Sequence, residues 1–394
     1  MSGAVVTLNA GSSSVKFAVF RAADGVLETA PALKGQISGV NSRPALEISV
    51  DGAPPEKREL SKSEVPDHAA ALDLLMGDIE HRLGDETVLA VGHRVVHGGL
   101  EFSAPLALTD DAVARLATLT PLAPGHQPHN LNGVAVARRH WPDAPHVACF
   151  DTAFHRGQPH VAEQFALPRA LTEEGIIRYG FHGLSYEYIA GAAPEIMGDA
   201  PRERMIVAHL GAGASMCAMK NGKSVATTMG FTALDGLPMG TRCGDVDPGV
   251  LLYLLEEKGV TVPELTDCLY KQSGLLGISG ISPDMRVLEA SDDPRAEEAI
   301  AYFVHRCVRE IGALAAALGG VDALVFTAGV GENAVHVRAR ILEGCAWLGA
   351  RLDEDANAAH GPRITAAGSR LSAWAVPTNE ELMIARHAFG LIAA

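Results

Sequence analysis

Residues 5–20 read VVTLNAGSSSVKFAVF, a stretch of apolar residues interrupted by small and polar ones. Two apolar runs flank a turn that contains Asn9, Gly11 and three serines, so we predict two antiparallel strands joined by that turn. Lys16 lies inside the second run, where a buried charge is costly without a partner. The stretch therefore predicts a hairpin whose turn and lysine serve a ligand.

The composition of this turn is suited to phosphate. Gly and Ser residues between strands leave backbone N–H groups unpaired and let an anion approach closely. Ser12, Ser13 and Ser14 add hydroxyl donors, and Lys16 adds a compact positive charge. Because the chain has no GxxxxGK[ST] motif, we do not expect a P-loop.

A second stretch resembles the first. Residues 205–220, MIVAHLGAGASMCAMK, also consist of a strand, a small-residue turn and a strand, and begin about 200 residues further on. We interpret the two stretches as a duplicated domain, with a cleft between the copies. Chance similarity of two glycine-turn hairpins is the alternative that these residues leave open.

The hydrophobic pattern along the chain alternates between strands and helices, which predicts α/β layers. Strand patterns fall at 4–8, 15–20, 46–50, 88–96, 146–150, 205–210, 215–219, 224–227 and 323–327. Helical patterns fall at 68–83, 110–119, 130–140, 184–191, 247–258, 294–318, 334–350 and 379–393. Residues 51–67 are predicted to be an exposed loop. The apolar segment 311–331 is broken by Gly319, Gly320 and Asp322, so we predict a helix end and a strand there instead of a membrane span.

Charge and cysteine content narrow the class of protein. The 394 residues include 32 Lys and Arg against 47 Asp and Glu, a net charge of −15. This balance argues against nucleic acid and anionic membranes as bulk partners. The first residues lack the basic and long apolar regions of a signal peptide. Six widely spaced cysteines without a CxxC pair indicate reduced thiols and a cytoplasmic protein.

A third turn, FTAGVGENAV at 326–335, runs from a strand through glycines into a helix start. Such a turn can cradle a nucleotide phosphate, or it can let the base lie against the backbone. Residues 329–334 also fit the dinucleotide fingerprint GxGxxA. Because no clear βαβ unit surrounds them, we regard NAD binding as a distant alternative.

Two arginines stand in unusual places. Arg94 lies in the apolar strand VGHRVVHGG, and Arg242 lies in the glycine-rich loop MGTRCGDVDPG. Each must be paired in a salt bridge or face a bound anion. His182 in RYGFHGLSY is either a core residue or a site residue, and Asp151 ends a strand. Glu380 in TNEEL is either a first-turn helix charge or a Mg²⁺ ligand.

Taken together, LNAGSSSVKF, GHRVVHGG, FDTAFH, YGFHGLS, MGTRCGD, GVGEN and TNEEL resemble the acetokinase family, in the sugar kinase, Hsp70 and actin-like ATPase superfamily. The resemblance covers nearly the whole chain. It implies an α/β fold of two duplicated ribonuclease-H-like (actin-like ATPase) domains with an active-site cleft between them. The first would contain residues 1–150 and a C-terminal helix at 377–394, and the second, nucleotide-binding domain would contain residues 151–376.

The resemblance also implies a reaction. The family transfers a phosphoryl group reversibly from ATP to acetate, giving acetyl phosphate and ADP, and it requires Mg²⁺, for which Mn²⁺ can substitute. It implies a cytoplasmic homodimer without nucleic-acid or membrane partners. A kinase of propionate or another short-chain carboxylate is the alternative within the class. An actin-like or chaperone-like ATPase is the alternative from a different class.

Site residues are implied position by position. The residues that match the family's catalytic positions are Arg94, Asp151, His182 and Arg242. The residues that match its carboxylate and acyl pocket are Arg94, Val96, Gly125, Phe181 and Ala233. The metal-side residues are Asn9 and Glu380. The phosphate and nucleotide residues are Ser12, Ser14, Lys16, His209, Leu210, Gly211, Ala212, Gly213, Asp284, Met285, Arg286, Gly329, Val330, Gly331, Glu332 and Asn333.

Three positions depart from the family pattern. Ala212 replaces the asparagine of the family's HLGNG, which removes an amide contact to a phosphate or nucleotide. Gly125 in APGHQP replaces the leucine of APLHNP, and Ala233 in TALDG replaces the proline of TPLEG. Both changes remove wall from the acyl pocket, so we expect room for an additional methylene group.

Overall fold

The computed structural model describes residues 1–11, 14–40 and 42–393, and the chain folds as two compact units. Unit 1 consists of Met1–Ala153 and Asn379–Ala394, and unit 2 consists of Phe154–Thr378. Asp151, which we had assigned to the second domain, therefore lies in unit 1. Ser12 lies outside the described residues.

Unit 1 is built on one sheet. Its strands are β1 (Gly3–Ala10), β2 (Ser14–Ala23), β3 (Val26–Leu27), β4 (Leu33–Ser38), β5 (Ala45–Val50), β6 (Glu56–Glu59), β7 (Val88–Val95), β8 (Leu106–Ala107) and β9 (His146–Phe150). Their order is β6-β5-β4-β2-β1-β7-β9-β8, and β3 pairs with β2. Strands β1 and β2 form an antiparallel hairpin in which Asn9 is opposite Lys16, as the sequence predicts. Strands β7 and β9 continue the sheet in parallel with β1.

The helices of unit 1 bury this sheet. They are α1 (His68–Leu83), α2 (Asp110–Thr118), α3 (Gln127–His140) and a C-terminal helix (Glu380–Ala393). Leu72 and Met76 of α1 join the apolar residues of β1 and β2 in one buried cluster. A Cβ on Gly92 of β7 would lie only 2.5 Å from Cγ2 of Ile384. The absence of a side chain at Gly92 therefore lets the C-terminal helix approach β7 closely.

Unit 2 repeats the core of unit 1. Its strands are β10 (Arg204–Leu210), β11 (Ala214–Lys220), β12 (Lys223–Thr227), β13 (Ala323–Thr327) and β14 (Ser372–Ala375). Their order, β12-β11-β10-β13-β14, corresponds to β4-β2-β1-β7-β9 of unit 1. The neighbouring pairs also run in the same relative directions, antiparallel on one side of β10 and parallel on the other. This correspondence supports the duplication predicted from the two hairpins.

The helices of unit 2 are α4 (His160–Glu163), α5 (Arg169–Glu173), α6 (Gly183–Met197), α7 (Pro248–Glu256), α8 (Val262–Lys271), α9 (Gly274–Ser279), α10 (Met285–Glu289), α11 (Pro294–Leu318), α12 (Ala328–Asn333), α13 (Val335–Gly344) and α14 (Glu354–Ala358). Helix α11 begins after the capping side chain of Asp293 and ends at Gly319 in the left-handed conformation. Strand β13 follows, so segment 311–331 is a helix end and a strand, as predicted. None of the helices in the described part of the chain is long and apolar enough to cross a membrane.

Two local predictions were wrong. The predicted loop 51–67 contains β6, whose four residues are all exposed, so no apolar residue marked it as a strand. The predicted helix 334–350 ends at Gly344 and is followed by a short 3₁₀ turn, Ala346–Leu348. A Cβ on Gly344 would lie 2.6 Å from Val308, so α13 packs tightly against α11 where it ends.

A buried asparagine holds the ends of β1 and β7 together. The parallel pairing of these strands stops at Leu8 and His93. Beyond that point Asn130 of α3, which is 2% exposed, donates its side-chain N–H to the Ala10 carbonyl at 2.7 Å and accepts the Val96 N–H at 2.9 Å. Asn130 therefore fixes the two strand ends that carry Asn9 and Arg94.

We predict that Asn130→Ala lowers the free energy of unfolding by about 2–5 kcal/mol, because it leaves two buried backbone groups without partners. Urea denaturation measures the loss. Arg139→Ala is the control on the same helix, since its contact with Asp73 is 61% exposed and should contribute no more than about 0.5 kcal/mol. Equal losses in the two variants would show that Asn130 does not hold the strand ends.

Candidate active site

Arg94 in unit 1 is fixed by a carboxylate and an amide. Its Nε donates to both Asp151 oxygens at 3.0 Å, its Nη2 donates to Asp151 Oδ2, and its Nη1 donates to Asn9 Oδ1 at 3.0 Å. Asp151 is 1% exposed. The salt bridge that we considered for this arginine is therefore present, and it joins the ends of β7, β9 and β1.

Arg94 is positively charged in the folded protein. Burial alone would lower the pKa of Arg94, but Asp151, together with Glu380 and Glu381, outweighs burial and raises it. A guanidinium has five N–H donors, and these contacts use three of them. Among the described residues, two donors therefore remain for a ligand, so the structural salt bridge and an anion-binding role are compatible.

Glu380 is the first residue of the C-terminal helix, but another residue caps that helix. The side chain of Asn379 accepts the Leu382 N–H at 3.0 Å. Glu380 is half-buried and accepts no hydrogen bond from a described residue. Glu380 is therefore in the first turn of this helix, as the helix-charge alternative predicts, and its carboxylate is still available to a metal ion.

The electrostatic surroundings of Glu380 favour its neutral form. The pKa of Glu380 is raised to about 7, chiefly by loss of hydration. Asp151 and Glu381 also raise it, while Arg94 and Lys16 act in the opposite direction. A bound cation would reverse this balance and keep Glu380 ionised.

The oxygen atoms in this region suit a hard divalent cation. No group of three or more His, Cys, Asp or Glu side chains forms a metal cage in the described ranges. Mg²⁺ does not need such a cage, because one or two protein oxygens, waters and phosphate oxygens complete its shell. The Asn9 amide oxygen and the Glu380 carboxylate fit that requirement.

The hairpin turn of unit 1 lies beside these groups. Ser14 accepts the Gly11 N–H at 2.8 Å through its carbonyl and begins β2. Lys16 is exposed, so its charge is not buried in the hairpin as the alternating sequence suggested. His68 of α1 contacts the Gly11 carbonyl through Nε2 at 2.7 Å and thereby links α1 to the chain just after β1.

The predicted acyl-pocket residues are divided between the units. In unit 1, Val96 is 4% exposed, and Gly125 is exposed with no atom within 4 Å of an added Cβ. In unit 2, Phe181 is 2% exposed, and Ala233 is half-buried with its carbonyl bonded to Arg242 Nη1 at 2.7 Å. The space beside Gly125 is therefore open within its own unit.

Two predicted catalytic groups of unit 2 converge at a glycine. A Cβ on Gly213 would lie 3.4 Å from His182 Nε2 and 3.7 Å from Arg242 Nη2. The His182 ring stacks on that of His209 with 4.1 Å between centroids, and its Nδ1 lies 2.8 Å from Ser215 Oγ. His182 has a φ of 59°, so the chain accepts a left-handed non-glycine residue at this position.

A cavity of about 900 Å³ in unit 2 collects residues from three distant stretches. The predicted nucleotide residues in its wall are Gly211, Ala212, Asp284, Met285, Arg286, Gly329, Val330 and Asn333. The predicted nucleotide residues of unit 2 outside its wall are His209, Leu210, Gly213, Gly331 and Glu332. The structure therefore gathers the three stretches, although not every residue in them faces the cavity.

Asp284 and Arg286 pair with each other at this cavity. Asp284 caps α10 by accepting the Arg286 N–H at 3.0 Å, and its carboxylate lies 2.6 Å from the Arg286 guanidinium. The hydrogen bond from Arg286 lowers the pKa of Asp284. The side chain of Arg286 is 87% exposed, so it can turn towards a ligand at little cost.

Helix α12 carries its own anion. Glu332 Oε1 accepts the Ala328 N–H at 2.8 Å and the Thr378 N–H at 3.2 Å. A phosphate at the start of this helix would meet that carboxylate. Of the two roles considered for the GVGEN turn, contact with a base is therefore favoured over a phosphate cradle.

Arg338 supports the same turn and was not singled out from the sequence. It is 0% exposed and donates to the carbonyls of Gly331 and Glu332 at 3.0 and 2.7 Å, and to Asn357 Oδ1 at 2.8 Å. No carboxylate pairs with it among the described residues, and burial lowers its pKa. Its position on the buried face of α13, one turn before Ile341, is the signal that could have identified it.

Comparison with known proteins places the chain in one family. Residues 4–386 match the model of the Acetokinase family. An acetate kinase from Rhodopseudomonas palustris is 54% identical over 395 residues, with 99% of each chain covered. An acetate kinase from Rhizobium meliloti is 47% identical, again with 99% of each chain covered.

Solved structures agree. A propionate kinase from Francisella tularensis has a TM-score of 0.89 and 35% identity, with 98% of each chain covered. The acetate kinase of Porphyromonas gingivalis has a TM-score of 0.86 and 36% identity, with 99% of each chain covered. The two α/β units thus have the actin-like ATPase fold of these enzymes, and the chain belongs to the acetokinase family.

Proposed function

We propose that the protein is an acetate kinase, which transfers a phosphoryl group reversibly from ATP to acetate and forms acetyl phosphate and ADP. Beyond family membership, the observation that carries this proposal is the state of Arg94. Asp151 and Asn9 hold its guanidinium in place, and two of its N–H donors remain, among the described residues, for a carboxylate.

Unit 1 binds the acceptor. The spare donors of Arg94 hold the acetate carboxylate, and Val96 contacts its methyl group. Acetate is already ionised near neutral pH, so its oxygen attacks the γ-phosphorus without a general base. Asp151 orients Arg94, since its carboxylate is fully engaged with that guanidinium.

Unit 2 binds the nucleotide in its cavity of about 900 Å³. As the carboxylate oxygen bonds to the γ-phosphorus, the bond to the bridging oxygen breaks and ADP leaves. Phosphoryl transfer depends on positioning and on donors around the equatorial oxygens. His182 Nε2 and Arg242 Nη2, which converge beside Gly213, supply those donors.

The metal site consists of Asn9 and Glu380, whose side-chain oxygens would hold Mg²⁺, or Mn²⁺ in its place. When bound, the metal offsets negative charge on the phosphate oxygens. Lys16 adds a positive charge on the same side of unit 1, close enough to lower the pKa of Glu380. The hairpin lysine and its turn thus serve the phosphates.

We also propose that the protein is a homodimer, and its predicted cytoplasmic location stays a prediction. Helix α7 has no buried residue, and Val250, Leu252 and Tyr253 on it are 46%, 55% and 52% exposed. Exposed apolar residues clustered in this way are typical of subunit contacts. The mass in solution tests the dimer.

The first experiment compares rates over formate, acetate, propionate and butyrate with Mg-ATP. We expect transfer that depends on the carboxylate, with a kcat/KM for propionate within about tenfold of that for acetate. A tight wall rejects an extra methylene by about 1–3 kcal/mol, and Gly125 and Ala233 lower that wall. Gly125→Leu should sharpen the preference for acetate, and the open space at Gly125 accepts the new side chain.

ATP hydrolysis that ignores the carboxylate would instead identify an ATPase of the same fold. If wild type rejects propionate by more than about a hundredfold, other side chains fill the space beside Gly125 and the pocket proposal is wrong.

The two arginines should separate kinetically. Arg242→Ala should lower kcat by a factor of about 10³, because the charge of Arg242 matters most while the phosphoryl group is being transferred. Arg94→Ala should raise the acetate KM as well, since Arg94 holds the ground-state anion. Near-wild-type kcat/KM in both variants would mean that the arginines are only structural.

The pKa of Glu380 predicts a trade-off between stability and metal binding. The folded-state pKa of Glu380 is about 7, above the ordinary 4.5. The folded protein therefore loses stability as the pH rises from about 4.5 to 7, and the full loss is present above pH 7. Without metal at pH 8, Glu380→Gln should therefore stabilise the protein by about 1–3 kcal/mol, and by less at pH 5.

Thermal unfolding with and without Mg²⁺ measures the metal contribution. Mg²⁺ should raise the Tm of wild type and of the control Glu381→Gln, but not that of Glu380→Gln. Equal Mg²⁺ responses in all three proteins would remove Glu380 from the metal site.

A further inference from the structure

Two buried hydroxyl groups lie on the Nδ1 side of the His182 ring. Ser215 Oγ of β11 lies 2.8 Å from His182 Nδ1 and 2.5 Å from the Tyr186 hydroxyl of α6. Ser215 and Tyr186 are both 0% exposed. Both residues lie in stretches that stand out in the sequence, RYGFHGLSY and MIVAHLGAGASMCAMK, but neither was assigned a role there, and the function described above does not include them.

Tyr186, Ser215 and His182 are connected by two hydrogen bonds, and the number of protons available limits which group donates in each. A hydroxyl group has a single proton to donate. A phenol is a stronger donor and a weaker acceptor than an aliphatic alcohol, so the short contact favours donation from Tyr186 to Ser215. The proton of Ser215 is then directed to His182 Nδ1, and a neutral His182 carries its own proton on Nε2.

Two other neighbours of His182 also affect which of its ring nitrogens carries the proton. Arg242 is purely a donor and lies near Nε2, so alone it would favour a bare Nε2 and a proton on Nδ1. The stacked ring of His209 disfavours a second positive charge close by. Donation from Ser215 to Nδ1 opposes the bias of Arg242 without requiring an imidazolium.

Unit 2 contains a second histidine whose Nδ1 contacts a buried serine. Its other partners determine which group donates in that hydrogen bond. His155 Nε2 lies 3.0 Å from the Phe181 carbonyl, which can only accept, so Nε2 carries the proton. Nδ1 lies 2.8 Å from Ser224 Oγ, which in turn accepts from Gln158 Nε2 at 2.7 Å. A buried serine thus donates to Nδ1 and leaves Nε2–H as the donor.

We propose that Ser215 and Tyr186 are positioning residues that hold neutral His182 in the Nε2–H tautomer. His182 Nε2 then donates a hydrogen bond to the transferred phosphoryl group without being protonated first. The mechanistic part of this inference rests on the proposed kinase function.

The test is the ratio of variant to wild-type kcat between pH 5.5 and 8.5, with Mg-ATP and saturating acetate. Ser215→Ala should lower kcat about tenfold at pH 8, the worth of one hydrogen bond. The loss should shrink below about pH 6, because an imidazolium carries a proton on both nitrogens. Tyr186→Phe should act in the same direction but less strongly, and Ser215→Thr should restore the rate.

Ser224→Ala is the matched control, since it removes a buried serine hydroxyl from the Nδ1 of a histidine to which the proposed mechanism assigns no catalytic role. Its ratio to wild type should be the same at every pH. A pH-independent loss in Ser215→Ala would overturn the proposal and leave Ser215 with a packing role.

A second measurement separates this inference from the proposed function. The ¹⁵N chemical shifts of labelled His182 report its tautomer directly, whether or not the protein transfers phosphoryl groups. We expect Nε2–H in wild type and its loss in Ser215→Ala. A wild-type Nδ1–H tautomer would refute the proposal, whereas inactivity towards carboxylates would refute only the kinase function.

Discussion

Arg94 brings a positive charge into the interior of unit 1, and Asp151 meets it with both carboxylate oxygens. Removing one member of such a pair leaves an uncompensated buried charge, which typically costs about 3–5 kcal/mol. Because Asn9 completes the cluster, the ends of three neighbouring strands are held at one point. The strand positions and the orientation of the guanidinium therefore have a common physical origin, and under the proposed function a substitution here would change stability and catalysis together.

The two units use one strand arrangement for different purposes. In unit 1 the hairpin turn is followed by Lys16, so this copy supplies charge. In unit 2 the equivalent turn contains Gly211 and Gly213, and it supplies space into which His182 and Arg242 reach. A duplicated backbone could diverge in this way because the strand pairing depends on backbone hydrogen bonds and apolar side chains, which leaves the turn residues free to change.

Most regular elements were predictable from the sequence because their apolar periodicity reports burial. Helix α11 combines that period with an Asp293 cap and a terminal Gly319, and its predicted bounds are those of the structure. Strand β6 carries no such signal, since both of its faces are exposed. Strand β14 was also missed although all four of its residues are buried, because so short a segment shows no clear period.

Site residues were predictable to a different degree. Arg94 and Glu380 stand out because charges next to apolar residues need a partner. Ser215 and Asn130 do not stand out, because small polar residues occur everywhere and their importance lies in contacts to residues distant in sequence. The direction of a side-chain hydrogen bond, and thus a histidine tautomer, depends on three-dimensional neighbours that no local spacing encodes.

The carboxylate of Glu332 at the start of α12 has a consequence for the way in which a nucleotide lies in the cavity of unit 2. The charge at that end of the cavity repels anions, and the Ala328 N–H that would attract one is already bonded. Under the proposed function, the polyphosphate would therefore point away from α12, towards the turn at Gly211, and the uncharged base would lie against Gly329 and Val330. Repulsion by the Glu332 carboxylate would then set the direction of the nucleotide before any group at the other end of the cavity makes contact.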